Sequence, residues 1–335
     1  MSPTERKKAM ESLIFLVEKK FSQKLKSRHC ANGSVQREWM GYEDTSSPTV
    51  MTESVLLTSA IEAKESRHVV TLDVPNTFIQ TPIEPTDKDG DRYIMKIRGE
   101  MVRMLCVMDP ETYEEYVVYE GKQPVLYVHI LKAIYGMLIS ALRFYEKLRK
   151  DLEEQGFEVN PYDECDANRM IEGKQLTVCF HVDDLKASHE NKEVLEAFVE
   201  WVEKKYGQER KVTVNRGKEH TYLGMVLRYE DDGSVVVDMT DYVEDMLNEF
   251  PVNLTGRVTT PANDNLFKVV DSRRLTTRRA EVFHTFVAKA LFLAKRGRPD
   301  ILPTVAFLCT RVTVSTEGTR LPCLPCSPVG AAGHK

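Results

Sequence analysis

The chain has 335 residues, of which 42% are hydrophobic and 29% are charged, and its formal net charge at pH 7 is −5. These values are typical of a soluble globular protein with one large or two modest hydrophobic cores. No apolar run approaches 18 residues. The sequence therefore argues against a membrane-spanning segment, a signal peptide and a membrane partner.

Seven cysteines are scattered along the chain, and no secretion signal precedes them. An odd number of cysteines in this context predicts reduced thiols and an intracellular protein, in the cytoplasm or the nucleus. Cys323 and Cys326 form a single Cys-x-x-Cys pair. A structural zinc site needs four ligands, so this pair alone does not predict one.

The charge is distributed unevenly along the chain. Residues 1–40 carry a net charge of +5 and residues 251–335 carry +8, which leaves −18 for the segment between them. Two basic ends around an acidic middle fit a protein that holds a polyanion such as a nucleic acid. Solvated helix faces would give the same pattern.

The hydrophobic pattern predicts an α+β protein, with helices packed on an antiparallel sheet. We expect helices over residues 4–21, from about 50 to 64, and over 138–155, 190–206, 240–250, 281–296 and 299–312. We expect strands over residues 69–73, 92–98, 115–120 and 125–130, and hairpins over 176–188 and from 220 onward. A linker with two prolines at 251–261 predicts a domain boundary.

Two adjacent aspartates, Asp183 and Asp184, lie at the tip of the hairpin expected over residues 176–188. Like charges held side by side raise each other's pKa unless a cation compensates them, so a cation is the expected partner. Asp73 ends another short apolar strand. Three carboxylates on neighbouring strands would form the hard-oxygen site that suits magnesium. From these strands alone, three unrelated surface aspartates are the alternative.

A second aspartate pair, Asp231 and Asp232, has a simpler explanation. Gly233 follows it and supplies the positive φ that a two-residue turn requires. This pair therefore predicts a turn and no chemistry.

Six motifs, in matching order and spacing, resemble the reverse transcriptase of copia-type retrotransposons. They are residues 72–81, 131–137, 160–163, 181–184, 220–225 and 298–301. The resemblance covers roughly residues 24–312 and implies a right-hand polymerase fold. Fingers and palm would occupy residues 1–250 and a helical, thumb-like part residues 251–312, while residues 313–335 would form a disordered or out-of-frame tail.

The resemblance implies an RNA-directed DNA polymerase that adds dNTPs to a primer 3′-hydroxyl on an RNA or DNA template. Asp73, Asp183 and Asp184 would be the catalytic carboxylates and would bind two Mg²⁺ ions, with Mn²⁺ as a substitute. The Val74 carbonyl would be a further ligand. One ion would activate the 3′-hydroxyl, and the other would neutralise charge on the leaving pyrophosphate.

The resemblance also implies residues that bind the nucleotide and the primer. The nucleotide-binding residues would be Lys26, Arg28, Phe78, Tyr135 and Gly136, and the primer-positioning residues would be Leu223 and Gly224. The basic pair would meet the triphosphate, and Phe78 resembles the aromatic gate that excludes a 2′-hydroxyl. A solvated basic loop and a core aromatic are the respective alternatives.

The chain departs from the family pattern at several positions. Ile139 stands where the family usually has a glutamine that holds the nucleotide, and Thr77 stands where alanine is common. Residues 30–33 lack the basic residue often found before the glycine. Beyond Glu317 the sequence no longer follows the family pattern and continues into a tail that contains prolines and cysteines. This change predicts a frameshift or a mispredicted splice near Glu317. It also predicts that the chain is a fragment of a polyprotein.

Three other functions compete with an active polymerase. A decayed relic would keep the fold and act at most as a nucleic-acid-binding protein. A phosphatase with an aspartate nucleophile would need aspartate at position 75, where Pro75 stands. The third alternative is an interaction module that catalyses no reaction, because a fold can persist after its original function is lost.

Overall fold

The computed structural model describes residues 1–18, 25–251 and 272–316, together with residues 260, 262 and 267. Its helices and strands are mixed along the chain, so the fold is mixed α/β. The chain divides into two compact units, Met1–Ser54 with Leu72–Asn215 and Val55–Thr71 with Arg216–Lys335. Most of the linker expected at 251–261 lies outside the described residues, so the domain boundary there stays a prediction.

The described helices are α1 (Pro3–Lys8), α2 (Thr52–Lys64), α3 (Glu100–Met108), α4 (Pro110–Tyr113), α5 (Ser140–Glu154), α6 (Lys192–Tyr206), α7 (Thr240–Asn248), α8 (Thr277–Arg296) and α9 (Leu302–Cys309). Short 3₁₀ helices span Gly33–Glu38, Glu114–Tyr116 and Pro299–Ile301. Within the described ranges, no helix is both long enough and apolar enough to cross a lipid bilayer.

The described strands are β1 (Met10–Glu18), β2 (Leu25–Ala31), β3 (His68–Asp73), β4 (Ile94–Arg98), β5 (Val118–Glu120), β6 (Gln123–His129), β7 (Glu158–Asn160), β8 (Asp163–Ile171), β9 (Lys174–His181), β10 (Asp184–His189), β11 (Thr213–Arg216), β12 (Glu219–Tyr222), β13 (Met225–Tyr229) and β14 (Val235–Asp238). They form three sheets, with the orders β2-β1-β4-β6-β5, β11-β3-β10-β9-β8-β7 and β12-β13-β14.

The helix expected over residues 4–21 is wrong for residues 9–18, and residues 19–21 lie outside the described residues. Helix α1 ends at Lys8, and the chain continues as β1, which pairs antiparallel with β2 and meets β4 in parallel at Met10. Residues 13–17 are all leucine, isoleucine, phenylalanine or valine, and such runs favour strands when partner strands are available. Backbone pairing with β2 therefore outweighs the helical spacing of the apolar residues.

Most other expected elements are confirmed, with shifted ends. Helices α2, α5, α6, α7 and α8 and strands β3, β4, β5 and β6 lie where the pattern placed them. The helix expected over 299–312 is shorter, because Pro299–Ile301 is a 3₁₀ turn and α9 ends at Cys309. The pattern missed α3, α4 and the β7–β8 pair.

An apolar cluster in the first unit packs around β4 and β6. It consists of Met10, Ala31, Ile83, Tyr93, Met95, Ile97, Val102, Leu126, Ile130, Ala133, Met137 and Ile139. The cluster joins β1 and β2 to the segment that leads into α5. It therefore fixes the loop at 131–139 against the end of β2.

The second unit has its own contacts. Phe283 and Val287 on α8 pack with Leu308 on α9. The Tyr229 hydroxyl at the end of β13 donates a hydrogen bond to the buried Glu62 carboxylate of α2. This bond ties residues 55–71 to the three-stranded sheet.

Candidate functional site

The hairpin formed by β9 and β10 carries the aspartate pair at its tip, as the sequence predicted. Its register pairs His181 with Asp184 and leaves Val182 and Asp183 as the two turn residues. Val182 has a φ of 55°, as the first position of a type II′ turn requires. A β-branched residue is strained in this conformation. The strain is confined to the turn that holds Asp183.

The third aspartate reaches the same place from β3. Asp73 is the last residue of that strand, and the Val74 N–H donates a 2.9 Å hydrogen bond to the Asp183 carbonyl. Strand β3 and the turn are therefore joined by their backbones beside the carboxylates. The structure thus places the strand end and the turn that carry the three aspartates next to each other.

The electrostatics of this cluster are unfavourable for negative charge. Burial raises the pKa of Asp184 to about 6, and the charges of Asp183 and Asp73 add to the shift. Burial also raises the pKa of Asp183, with Asp73 adding to it, while a backbone hydrogen bond, His181 and Arg28 oppose the rise. The Asp183 and Asp184 carboxyl groups are thus harder to ionise, because they are buried and because acidic neighbours lie close to them. Among the described residues, however, no group of three side chains converges as a ready metal cage.

An aromatic and basic wall lies close to the aspartates. The Arg28 guanidinium lies 5.8 Å from the centre of the Tyr135 ring, and the Phe78 ring packs edge-on against Tyr135 at 4.6 Å. Burial and the Asp183 charge raise the pKa of Tyr135, and Arg28 opposes this. Three predicted nucleotide-binding residues therefore form one contiguous group. Phe78 is half-buried, and it also packs against the apolar cluster of the first unit.

Gly136 has a packing role in this group. Its φ is 91°, and a Cβ atom built on it would lie 2.0 Å from the Ala31 carbonyl oxygen. The Ala31 N–H donates to the Tyr135 carbonyl at 2.7 Å, and the Gly33 N–H donates to the Gly136 carbonyl at 3.1 Å. The end of β2 is thereby pressed directly onto residues 135 and 136, which sets Arg28 beside Tyr135.

The remaining predicted residues lie on β2 and in the second unit. Lys26 lies in β2 opposite Val17. Leu223 and Gly224 form the turn between β12 and β13, with φ values of 49° and 77°. Positive φ at both positions is the pattern of a type I′ hairpin turn.

A profile of the reverse transcriptase (RNA-dependent DNA polymerase) family matches residues 2–264. The chain belongs to this family. The family is the one typical of copia-type elements, so the resemblance drawn from the six motifs is confirmed.

Two solved polymerase structures are similar to this reverse transcriptase chain over most of its length. Telomerase from Candida albicans, in complex with a TWJ fragment of telomeric RNA, has a TM-score of 0.35 and 10% identity, over 95% of this chain and 66% of that one. BmCPV RNA-dependent RNA polymerase at its elongation state has a TM-score of 0.34 and 9% identity, over 92% and 26%. The chain spans less than two thirds of either. No curated protein sequence matches it significantly.

Two departures from the reverse transcriptase pattern, Ile139 and Thr77, are buried. Ile139 is 1% exposed and belongs to the apolar cluster of the first unit, and Thr77 is fully buried. Ile139 therefore contributes packing in place of the polar contact that a glutamine would make. The altered residues 30–33 form the backbone contacts with Gly136.

Gln80 was missed by the sequence reasoning. Its side-chain amide donates to the Pro75 carbonyl at 2.7 Å and to the Tyr206 carbonyl at 2.9 Å. It thereby braces the loop between Asp73 and Phe78 against the end of α6. Its place two residues after Phe78 was the only signal in the sequence, because Tyr206 is distant along the chain.

We expect Gly136→Ala to destabilise the first unit by at least about 3 kcal/mol, because the new methyl group overlaps a backbone oxygen that cannot move alone. Gly121→Ala is the matched control, since Gly121 has a φ of 63° and open space around it. It should cost about 1 kcal/mol. Urea unfolding measures both, and equal losses would contradict the close packing at Ala31.

We expect Asp184→Asn to stabilise the protein at pH 7.5. The raised pKa means that the folded state binds the Asp184 proton more tightly than the unfolded state, so stability falls as pH rises from about 4 to about 6. After allowance for partial exposure, the gain at pH 7.5 is about 1–2 kcal/mol.

The measurement is thermal unfolding in EDTA at several pH values. The stability difference between Asp184→Asn and the wild type should close as pH falls to about 4. Glu209→Gln, at an exposed loop position, removes a charge elsewhere and should not show this pH dependence. A gap of constant size would contradict the assigned cause.

Proposed function

We propose that this chain is the polymerase of a retrotransposon and that it extends a primer by two-metal nucleotidyl transfer. The observation that carries the proposal is the meeting of Asp73 with Asp183 and Asp184 at a bonded backbone junction. Carboxylates gathered at a cost in electrostatic energy are a mark of functional sites. The reverse transcriptase family gives these residues their chemical context.

The donor set fits divalent magnesium. Carboxylate and carbonyl oxygens are the hard ligands that Mg²⁺ and Mn²⁺ prefer. A cation would offset the burial and the repulsion that raise the pKa values of Asp183 and Asp184. Asp73, Asp183, Asp184 and the Val74 carbonyl would hold two ions. Bound there, the ions would lower the pKa of the primer 3′-hydroxyl and stabilise charge on the pyrophosphate.

The protein's own groups would orient the nucleotide. In our proposal Arg28 and Lys26 bind the triphosphate, because a guanidinium grips phosphate oxygens in pairs. Phe78, held by Tyr135, contacts the sugar and excludes a 2′-hydroxyl. Gly136 allows β2 to approach closely enough to place Arg28.

The proposal extends to the primer and the domains. The turn at Leu223 and Gly224 would position the primer end on an RNA or DNA template. Residues 1–250 would supply fingers and palm, and residues 251–312 a thumb-like part.

A decayed relic that binds nucleic acid without polymerising is the second candidate. One observation favours it, since Ile139 is sealed in the apolar cluster where a glutamine would serve the nucleotide. Such a protein would keep its fold because core packing does not depend on catalysis.

We expect the wild type to extend a DNA primer on an RNA template with Mg²⁺ and dNTPs. Asp183→Asn and Asp184→Asn should each lower the rate by about a thousandfold, equivalent to ~4 kcal/mol of lost charge stabilisation. Asp231→Asn, in the other aspartate pair, should retain activity because its side chain is 94% exposed and paired with Lys218. Wild-type binding to primer–template without extension would establish the relic.

We expect Phe78→Val to admit ribonucleotides. Loss of the ring opens space beside the sugar, so discrimination between dNTP and rNTP should fall roughly ten- to a hundredfold. Phe78→Tyr keeps the bulk and should keep the discrimination. Single-nucleotide incorporation kinetics measure the ratio, and unchanged selectivity in Phe78→Val would leave Phe78 as a core residue.

A further inference from the structure

The turn at Leu223 and Gly224 rests on the end of helix α8. The guanidinium carbon of Arg296 lies 3.7 Å from the centre of the Phe292 ring, and its Nε donates to the Leu223 carbonyl at 3.3 Å. A Cβ atom on Gly224 would lie 2.9 Å from the Phe292 ring. Arg296 and Phe292 therefore pack directly against this turn.

The positive charge of Arg296 is not neutralised by any carboxylate among the described residues. Its remaining bond is a 3.5 Å donation to the Phe292 carbonyl. Neighbouring cations of the same unit are paired, Arg298 with Asp300 and Lys289 with Glu249. Burial lowers the pKa of Arg296, and the only ionisable side chain that opposes this is Tyr242. A desolvated guanidinium without an anion costs free energy.

The stacking also fixes the direction of the guanidinium. One face lies on Phe292, and the Nε edge is occupied by Leu223. A guanidinium group held in this way loses little conformational entropy when it binds a phosphate. The flexible ammonium of Lys295, which precedes it on α8, has no comparable support among the described contacts.

We propose that Arg296 binds a backbone phosphate of the primer strand beside the Leu223–Gly224 turn. This inference rests on the proposed function, which places the primer end at that turn. Arginine contacts to phosphate position a nucleic acid without reading its sequence. The anion would offset the partly buried charge, and the phosphate would be held at a fixed distance from the turn.

The first test measures affinity without chemistry. Fluorescence anisotropy in EDTA gives Kd for a labelled RNA–DNA primer–template over a series of KCl concentrations, with the full chain. Arg296→Gln should bind roughly fivefold to tenfold more weakly at low salt. The negative slope of the logarithm of the association constant against log [KCl] should become shallower by about one. Arg296→Lys should keep the slope. Arg278→Gln, at the exposed start of the same helix, is the matched control and should weaken binding less.

The second test identifies the strand. Single phosphates near the primer 3′ end, or opposite it in a DNA template strand, are replaced by neutral methylphosphonates. Replacement of one or two primer phosphates should weaken binding by the wild type, and the same replacements should leave the affinity of Arg296→Gln unchanged. We call this dependence of the phosphate effect on Arg296 the coupling. Loss of the Leu223 hydrogen bond alone would not produce this coupling.

Several results would overturn the inference. The first is that Arg296 is coupled only to template phosphates, and the second is that it is coupled to no phosphate. The third is that Arg296→Gln and Arg278→Gln weaken binding equally. If Arg296→Gln does not fold, as judged by circular dichroism, the wild-type scan and Arg296→Lys still decide the question. Primer extension by the wild type is assayed in parallel. Failed extension with intact coupling refutes the polymerase function alone, whereas extension without coupling refutes the role of Arg296.

Discussion

The hydrogen bond from the Val74 N–H to the Asp183 carbonyl is the contact on which the candidate site depends. It joins the end of β3 to the strained turn between β9 and β10. Side chains from distant parts of the chain then have no freedom to separate widely. The raised pKa values of Asp183 and Asp184 follow chiefly from burial, and the enforced closeness of acidic neighbours adds to them. The fold therefore holds these carboxylates in an environment that opposes their ionisation.

The surroundings of this junction are arranged to keep it in place. Gln80 braces the following loop, and the apolar cluster of the first unit supports Phe78 and the segment that carries Tyr135. Gly136 permits two backbones to meet without a side chain between them. Stability here comes from packing and backbone hydrogen bonds, whereas the aspartates subtract from it. This division is common in enzymes, where functional groups are held in unfavourable states by the rest of the fold.

The second unit also holds a charged group in an unfavourable environment, but here the charge is positive. Arg296 is partly desolvated, stacked on an aromatic ring and tied to a turn. The second unit thus holds, at a hairpin turn, a guanidinium that no carboxylate among the described residues neutralises.

The sequence by itself determined the family, the long helices and the three aspartates, because ordered motifs and helical periodicity are local signals. It misjudged residues 10–18, where partner strands overrode helical spacing. Only the tertiary structure showed that Ile139 faces the apolar cluster, that Gly136 meets Ala31 and that Arg296 reaches Leu223. Those facts depend on residues far apart in the chain, and no local pattern encodes which distant backbone a side chain will meet.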